Sequence, residues 1–199
     1  MHNNKITLSF LLIILISLFS CTEYVSDEVS DELTKARTAY IDEDYGTAMK
    51  IWKELSEQEI PESLWGVGIL YESGYGVKQN FKTAKEWFTK AEKHNYAPAQ
   101  HSLGLIYYFG YGVKVNKQKA LEYYIKSAEQ NFSPAMYLLG IEYEEGVLIK
   151  QDIKKAESLF RESLELGYQE SEKALLRIQG INALKSIEQT INEGTLNGY

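Results

Sequence analysis

The stretch "YESGYGVKQN" (Tyr71–Asn80) returns almost unchanged as "YYFGYGVKVN" (Tyr107–Asn116), 36 residues further along the chain. Blocks of this length align three units, at residues 63–98, 99–134 and 135–170. Self-similarity with a period of about 20–50 residues is typical of solenoids, because each repeat buries its apolar face only against its neighbours. The period therefore predicts a stacked repeat fold.

Each unit is predicted to contain two amphipathic helices, at 64–73 and 81–94 in the first unit. A glycine recurs inside the first helix, where it is less favourable than alanine by about 1 kcal/mol. We therefore expect a neighbouring helix to cross there too closely for a side chain. The recurring columns are Gly68/Gly104/Gly140 in the first helix, and Ala84/Ala120/Ala156 and Phe88/Tyr124/Phe160 in the second.

The quoted stretch is predicted to be the connector between the two helices. Gly74 is placed to end the first helix in a left-handed conformation, Gly76 permits a second unusual backbone angle, and Asn80 can cap the next helix. The matching residues are Gly110, Gly112 and Asn116, then Gly146 and Asp152. Leu148 replaces the second glycine in the third unit, which must close differently. A phosphate-binding loop is disfavoured, because no Lys-Ser or Lys-Thr pair follows.

The segment "LGLIYYFGYGVKVNKQKALEYYIKSAEQN" (Leu103–Asn131) resembles the Sel-1-like repeat, a relative of the tetratricopeptide repeat. The resemblance implies an all-α fold, a right-handed α-solenoid of helix-turn-helix repeats. It also implies a concave face, lined by the first helices, that binds other proteins. Some Sel-1-like lipoproteins resemble immunity proteins against phospholipase effectors of the type VI secretion system, which gives an alternative function.

The flanking segments complete the predicted organisation. Residues 32–62 are expected to form a tetratricopeptide-like hairpin, in which Ala48 and Trp52 keep the register of Ala84 and Phe88. Residues 171–199 are predicted to form a capping helix and a tail, and Gly180 is a possible break in that helix. The apolar spacing of this cap falls on Leu175, Ile178, Leu184, Ile187 and Ile191.

The N-terminus is predicted to be a lipoprotein signal peptide (residues 1–20) followed by a polar tether (residues 21–31). Its apolar core, Ile6–Phe19, is shorter than the roughly 20 residues that a membrane-spanning helix needs. Cys21, the only cysteine, stands just beyond it and resembles the lipidated cysteine of a lipobox. A cleaved signal with a free Cys21 and an uncleaved anchor are the alternatives. Thr22 resembles a signal for outer-membrane sorting, facing the periplasm.

Composition and residue pairing disfavour several other classes of function. With 28 Asp and Glu against 21 Lys and Arg, the chain has no basic stripe to bind nucleic acid. His94 and His101 belong to different predicted helices and have no cysteine nearby, so we expect neither a metal site nor a cofactor. No matched acid–base pair or catalytic triad is present, and an envelope enzyme is disfavoured.

The candidate partner-binding residues are the positions whose chemistry varies while the scaffold repeats. Three of them precede the core glycine by three residues, and three follow it by four. They are Trp65, His101 and Tyr137, then Glu72, Tyr108 and Glu144. Aromatic anchors are enriched at protein interfaces. Ile69, Leu105 and Ile141 are more simply explained as packing between helices. The expected partner is an envelope protein or a toxin effector, and no small-molecule substrate is expected.

Replacing Cys21 tests the predicted anchor. Stable membrane attachment requires more than one acyl chain, and a lipobox cysteine carries several. Cys21→Ser, expressed in a Gram-negative host, should move the protein from the membrane fraction to the soluble periplasm. A wild-type protein that fractionates as soluble and carries no acyl group by mass spectrometry would contradict the prediction.

Overall fold

The computed structural model describes residues 26–196, and within this range the chain folds into nine α-helices. In chain order they are α1 Asp27–Ile41, α2 Tyr45–Ser56, α3 Pro61–Ser73, α4 Phe81–Glu92, α5 Ala97–Phe109, α6 Lys117–Ala128, α7 Ser133–Glu145, α8 Ile153–Glu165 and α9 Glu170–Leu196. Each helix packs against the next along the chain. The described region is therefore an all-α repeat solenoid, with helix pairs α3–α4, α5–α6 and α7–α8 as its units.

The contact that joins the two helices of each unit places an aromatic ring against a bare glycine. A Cβ atom added to Gly104 would lie 2.4 Å from Cε1 of Tyr124, far inside van der Waals contact. The same pairing joins Gly68 to Phe88 and Gly140 to Phe160. The close approach expected at this glycine column is thus confirmed, and the group that fills the space is the ring of the second helix.

The connectors follow the predicted chemistry. Gly74, Gly110 and Gly146 end α3, α5 and α7 in the left-handed region, with φ of 77°, 76° and 69°. Gly76 and Gly112 are also left-handed, with φ of 68° and 65°. The side-chain oxygens of Asn80, Asn116 and Asp152 accept hydrogen bonds from the backbone N–H three residues later, which caps α4, α6 and α8.

The third connector closes without a second glycine. Leu148 has no positive φ and packs against a cluster that includes Met136 and Leu159. The backbone N–H of Asp152 still donates to the carbonyl of Tyr143 (2.9 Å), as Asn80 does to Tyr71 in the first unit (2.8 Å). The closing hydrogen bond is therefore kept, while Leu148 stands at the position of the second glycine without a positive φ.

A second left-handed column lies in the turns between helix pairs, and the sequence prediction missed it. Glu59, Asn95, Asn131 and Gly167 recur every 36 residues, and all have positive φ. Asparagine tolerates this conformation better than most residues and glycine adopts it freely. Because three residue types share the column, no single letter runs through all four positions to reveal it.

The N-terminal pair begins earlier than predicted. Helix α1 starts at Asp27, inside the segment expected to be a polar tether, because Ser26 Oγ accepts a hydrogen bond from the Val29 N–H (3.3 Å). Asp27 and Glu28 also place negative charge at the positive end of the helix dipole. Cys21 and the predicted signal peptide lie outside the described residues.

The capping helix also differs from its prediction. Helix α9 runs unbroken through Gly180, and its first part packs on α8 through Ala174, Leu175 and Ile178. Leu184 and Ile187 are exposed, and the side chain of Ile191 lies outside the described set. Leu176 stands in the glycine column and is 60% exposed, and none of the described helices covers it. Among the described helices, none has both the length and the apolar character that a membrane crossing requires.

The glycine column can be tested against a glycine of the same chain that has no neighbour. Gly104→Ala should destabilise the fold by about 1–3 kcal/mol, because its methyl group overlaps the Tyr124 ring. Gly180→Ala should instead stabilise the fold by up to about 1 kcal/mol, because alanine is the better helix former and no atom lies within 4 Å of the new Cβ. Urea unfolding of both variants measures the two changes in unfolding free energy. Equal changes would mean that the ring contact does not prevent a side chain at Gly104.

Candidate functional site

The first helices of the three units carry the six residues predicted to bind a partner. We call the surface formed by these residues the first-helix face. It consists of Trp65 and Glu72 on α3, His101 and Tyr108 on α5, and Tyr137 and Glu144 on α7. All six are partly buried in the structure. Contact between the first helices is direct, since Trp65 Nε1 donates a hydrogen bond to Ser102 Oγ (3.1 Å) on α5.

The three aromatic anchors share a structural contact that the sequence did not reveal. Each packs against the aromatic residue that precedes the next first helix. The ring centroids are 6.2 Å apart for Trp65 and Tyr96, 5.4 Å for His101 and Phe132, and 5.3 Å for Tyr137 and Tyr168. These rings thus contribute to stacking between units, and only their exposed edges are available to a partner.

His101 is neutral at physiological pH. Burial lowers the pKa of its imidazole from 6.5 to about 4. The ring lies between Phe132 and Tyr124, whose centroid is 6.4 Å away. This residue therefore presents a neutral aromatic edge on the first-helix face.

The two predicted glutamates differ in their surroundings. Glu144 is held by Arg177 of α9 through two hydrogen bonds, of which the one from Nε to Oε1 is 2.7 Å long. Glu72 makes no side-chain hydrogen bond or ion pair with the described residues, and burial raises the pKa of its carboxyl. Of the two, Glu72 has the carboxylate that a partner's donor could still stabilise.

Tyr108 lies at the centre of an aromatic and charged group. Its ring centroid is 5.0 Å from that of Phe109 and 6.4 Å from that of Tyr124. The ammonium of Lys117 sits over the Tyr108 ring, 4.9 Å from the centroid. The ring is therefore already placed to attract a cation through its negatively polarised face.

Glu142 is a residue of this region that sequence reasoning overlooked. It occupies the column of Leu70 and Ile106, which are fully buried core residues, and is itself only 5% exposed. Its neighbour Tyr124 takes the place of Phe88 and Phe160 in the other units. The signal was available, since the third unit carries a carboxylate in a column that is apolar in the first two units, and the second unit carries a hydroxyl at a ring position that is phenylalanine in the other two.

The connectors carry a separate aromatic surface. Tyr75 stacks on Tyr45 with centroids 4.6 Å apart, and Tyr111 stacks on Phe81 at 4.8 Å. Tyr75 is 42% exposed and Tyr111 39%. Within residues 26–196 no group of three or more His, Asp and Glu side chains is arranged to hold a metal ion.

The comparisons with known proteins agree with this architecture. The family model of the Sel1 repeat matches residues 61–96, 97–132 and 133–168. The chain belongs to the Sel1 repeat family. Sel1 repeats are generally non-catalytic scaffolds and are typical of protein–protein interaction. A search of the curated proteins found no match.

Solved structures share the Sel1 fold. A Sel1 repeat protein from Oxalobacter formigenes is 30% identical, with a TM-score of 0.65 over 72% of this chain and 59% of that one. The protective antigen c5321 of uropathogenic Escherichia coli is 24% identical, with a TM-score of 0.63 over 74% of this chain. The present chain spans 59% and 32% of these two proteins.

The buried imidazole predicts a pH dependence of stability. The unfolded chain binds a proton at His101 near pH 6.5, whereas the folded protein does so only near pH 4, so acid favours unfolding between these values. Between pH 7 and pH 5, the free energy of unfolding of wild type should therefore fall by on the order of 2 kcal/mol more than that of His101→Phe. Urea unfolding at both pH values measures the difference, and parallel losses in the two proteins would contradict the buried state of the ring.

Proposed function

We propose that this Sel1 chain is a membrane-anchored protein of the bacterial periplasm that binds another protein through the first-helix face. The observation that carries the proposal is that the face holds a carboxylate, Glu72, to which the described residues provide no hydrogen bond or ion pair. The Tyr108 ring, with the ammonium of Lys117 over its face, lies on the next unit. Sel1 repeats typically use such surfaces to bind proteins.

The electrostatics of Glu72 favour a basic or hydrogen-bond-donating partner. A half-buried carboxylate without a donor is poorly solvated, which is why the pKa of Glu72 is raised. A donor brought by a partner would restore the lost hydrogen bonds and stabilise the charged form. The acidic balance of the whole chain would also attract a basic protein at long range.

The other predicted contacts have more limited roles in this proposal. Trp65, His101 and Tyr137 remain predicted contacts through the edges of rings whose faces stack between units. Glu144 also remains a predicted contact for the partner, but Arg177 already neutralises its charge. Selection for a basic partner should therefore depend on Glu72 more than on Glu144.

Membrane attachment is the part of the proposal that depends on the N-terminal sequence. Lipidation of Cys21 would tether the solenoid to the outer membrane, facing the periplasm, and restrict its partners to envelope proteins and to toxins that reach this compartment. An immunity protein that blocks a phospholipase effector is the alternative function, and it rests on the resemblance of the sequence. The identity of the captured partner separates the two.

Reversing the charge of Glu72 tests the proposed surface. Glu72→Lys should weaken capture of the partner from envelope extract by about tenfold or more, since a basic contact surface would then face a positive charge. Glu86→Lys, which makes the same change of charge on an exposed position of α4, is the matched control and should bind normally. Thermal unfolding by circular dichroism checks that both variants are folded.

Two results would contradict the assignment. Equal capture by Glu72→Lys and wild type would mean that the first-helix face is not used, and the exposed connector rings Tyr75 and Tyr111 would become the candidates. Equal loss in both variants would mean that binding follows net charge alone.

A further inference from the structure

Lysines of this acidic chain are concentrated in the connectors and in the helix starts that follow them. We call the surface formed by residues 74–83, 110–119 and 146–155 the connector edge. These three ranges contain a single carboxylate, Asp152, and no arginine. Their lysines are Lys78, Lys82, Lys114, Lys117, Lys119, Lys150, Lys154 and Lys155.

The fold brings the connectors side by side. A Cβ atom added to Gly112 would lie 3.1 Å from Cβ of Phe81, at the start of α4. Gly76 makes the same approach to Tyr45 at the start of α2, and Leu148 packs in a cluster with the early part of α6. Each connector thus rests on the second helix of the preceding pair, and the lysines form one row. The balance of the whole chain, 28 Asp and Glu against 21 Lys and Arg, predicts no basic stripe, and this stacking corrects the prediction.

Helix stability does not explain these lysines. The N-terminal end of a helix carries partial positive charge, so lysine is unfavourable in the first turn and Asp or Glu is favourable. Helices α4, α6 and α8 have no acidic residue in the first turn, and Lys82, Lys117 and Lys154 stand there instead. None of the lysines of the connector edge forms an ion pair with a described carboxylate. The edge therefore keeps positive charge that the described chain does not neutralise.

Exposed apolar side chains accompany the lysines. Phe109, at the end of α5, is 54% exposed, and its ring centroid lies 5.4 Å from that of Tyr111. Tyr75 in the first connector and Val147 in the third are exposed as well. Aromatic side chains, and tyrosine with its polar tip above all, suit the boundary between water and the acyl chains of a bilayer. The connector edge thus combines rings for that boundary with ammonium groups for anionic headgroups.

The use of lysine without arginine favours a lipid surface over a protein. Protein interfaces are enriched in arginine and depleted in lysine. Arginine also binds a carboxylate or phosphate through two parallel hydrogen bonds of fixed geometry, whereas lysine acts as a point charge. Attraction to a layer of anionic headgroups requires no fixed geometry, and basic residues near such a surface are enough to produce it.

We propose that the connector edge binds the surface of an anionic phospholipid bilayer, with Tyr75, Phe109 and Tyr111 entering the headgroup boundary. Acidic groups adjoin the row, at residues 42–44 in the α1–α2 turn and at Glu145 of α7. Salt screens exposed charges beyond about 8–10 Å, so the lysines that touch the bilayer outweigh acids further away. None of the six residues of the first-helix face belongs to the connector edge, and the proposal holds whether or not that face binds a protein.

Vesicle co-sedimentation tests the proposal. The purified full-length chain with Cys21→Ser, which carries no acyl chain at this position, is mixed with vesicles of phosphatidylcholine, either alone or with added phosphatidylglycerol. Binding to the neutral vesicles measures the contribution of the apolar segment Ile6–Phe19. Phosphatidylglycerol should raise the partition coefficient by about tenfold or more at low salt, and high salt should remove the increase.

Two sets of lysine substitutions separate the connector edge from net charge. Replacing Lys78, Lys114 and Lys150 by glutamine should lower the partition onto phosphatidylglycerol vesicles by about tenfold or more. The matched control makes the same change at exposed lysines outside the edge, which are Lys50, Lys93 and Lys173, and should bind normally. Equal losses in the two sets, or no loss in the first, would overturn the proposal. Thermal unfolding by circular dichroism checks that both variants are folded.

The rings distinguish a bilayer from an acidic protein. Phe109→Ser combined with Tyr111→Ser should weaken binding to the vesicles by about fivefold or more, because two apolar contacts with the headgroup boundary are lost. Binding to poly-L-glutamate, a soluble polyanion, should be weak and unchanged by this variant. If poly-L-glutamate binds through the three connector lysines while phosphatidylglycerol gives no increase, the connector edge is a docking site for an acidic protein and the lipid proposal is wrong.

Discussion

The seating of an aromatic ring on a bare glycine determines how the two helices of each unit approach one another. Gly104 accepts the ring of Tyr124, and the equivalent pairs of the first and third units repeat the contact. Because the ring occupies the volume of a missing side chain, the spacing of the helix pair depends on one glycine and one aromatic residue. In helix α9 the position of this glycine is occupied by Leu176, which is 60% exposed because none of the described helices packs over it.

The same spacing arranges the surface that is available for binding. Rings on the first helices stack on the aromatic residue that opens the next unit, so Trp65, His101 and Tyr137 lie half inside the solenoid. What remains for recognition is the set of groups that stacking leaves without a partner, with the Glu72 carboxylate foremost. In a repeat protein, a residue that departs from the repeat is therefore informative about binding when it places a charge at a position where packing would favour an apolar side chain.

Two departures from the repeat lie in neighbouring units. Phenylalanine at Tyr124, in the second unit, would agree with its two counterparts, and an aliphatic residue at Glu142, in the third unit, would agree with Leu70 and Ile106. Each departure adds polar atoms to a column that is apolar in the other units.

The sequence alone determined the repeat length, the two helices of each unit, the left-handed glycines of the connectors and the helix caps. Each of these depends on local chemistry that recurs at a fixed spacing, so one chain holds several copies of the evidence. Only the tertiary structure showed that the glycine faces a ring, that Arg177 holds Glu144 and that Trp65 donates a hydrogen bond to Ser102 of the next unit. These facts depend on contacts between residues about 20 to 40 positions apart, and no local pattern encodes which side chains meet across such a distance. The left-handed turn residues were missed for a related reason, because glutamate, asparagine and glycine share a backbone conformation without sharing a letter.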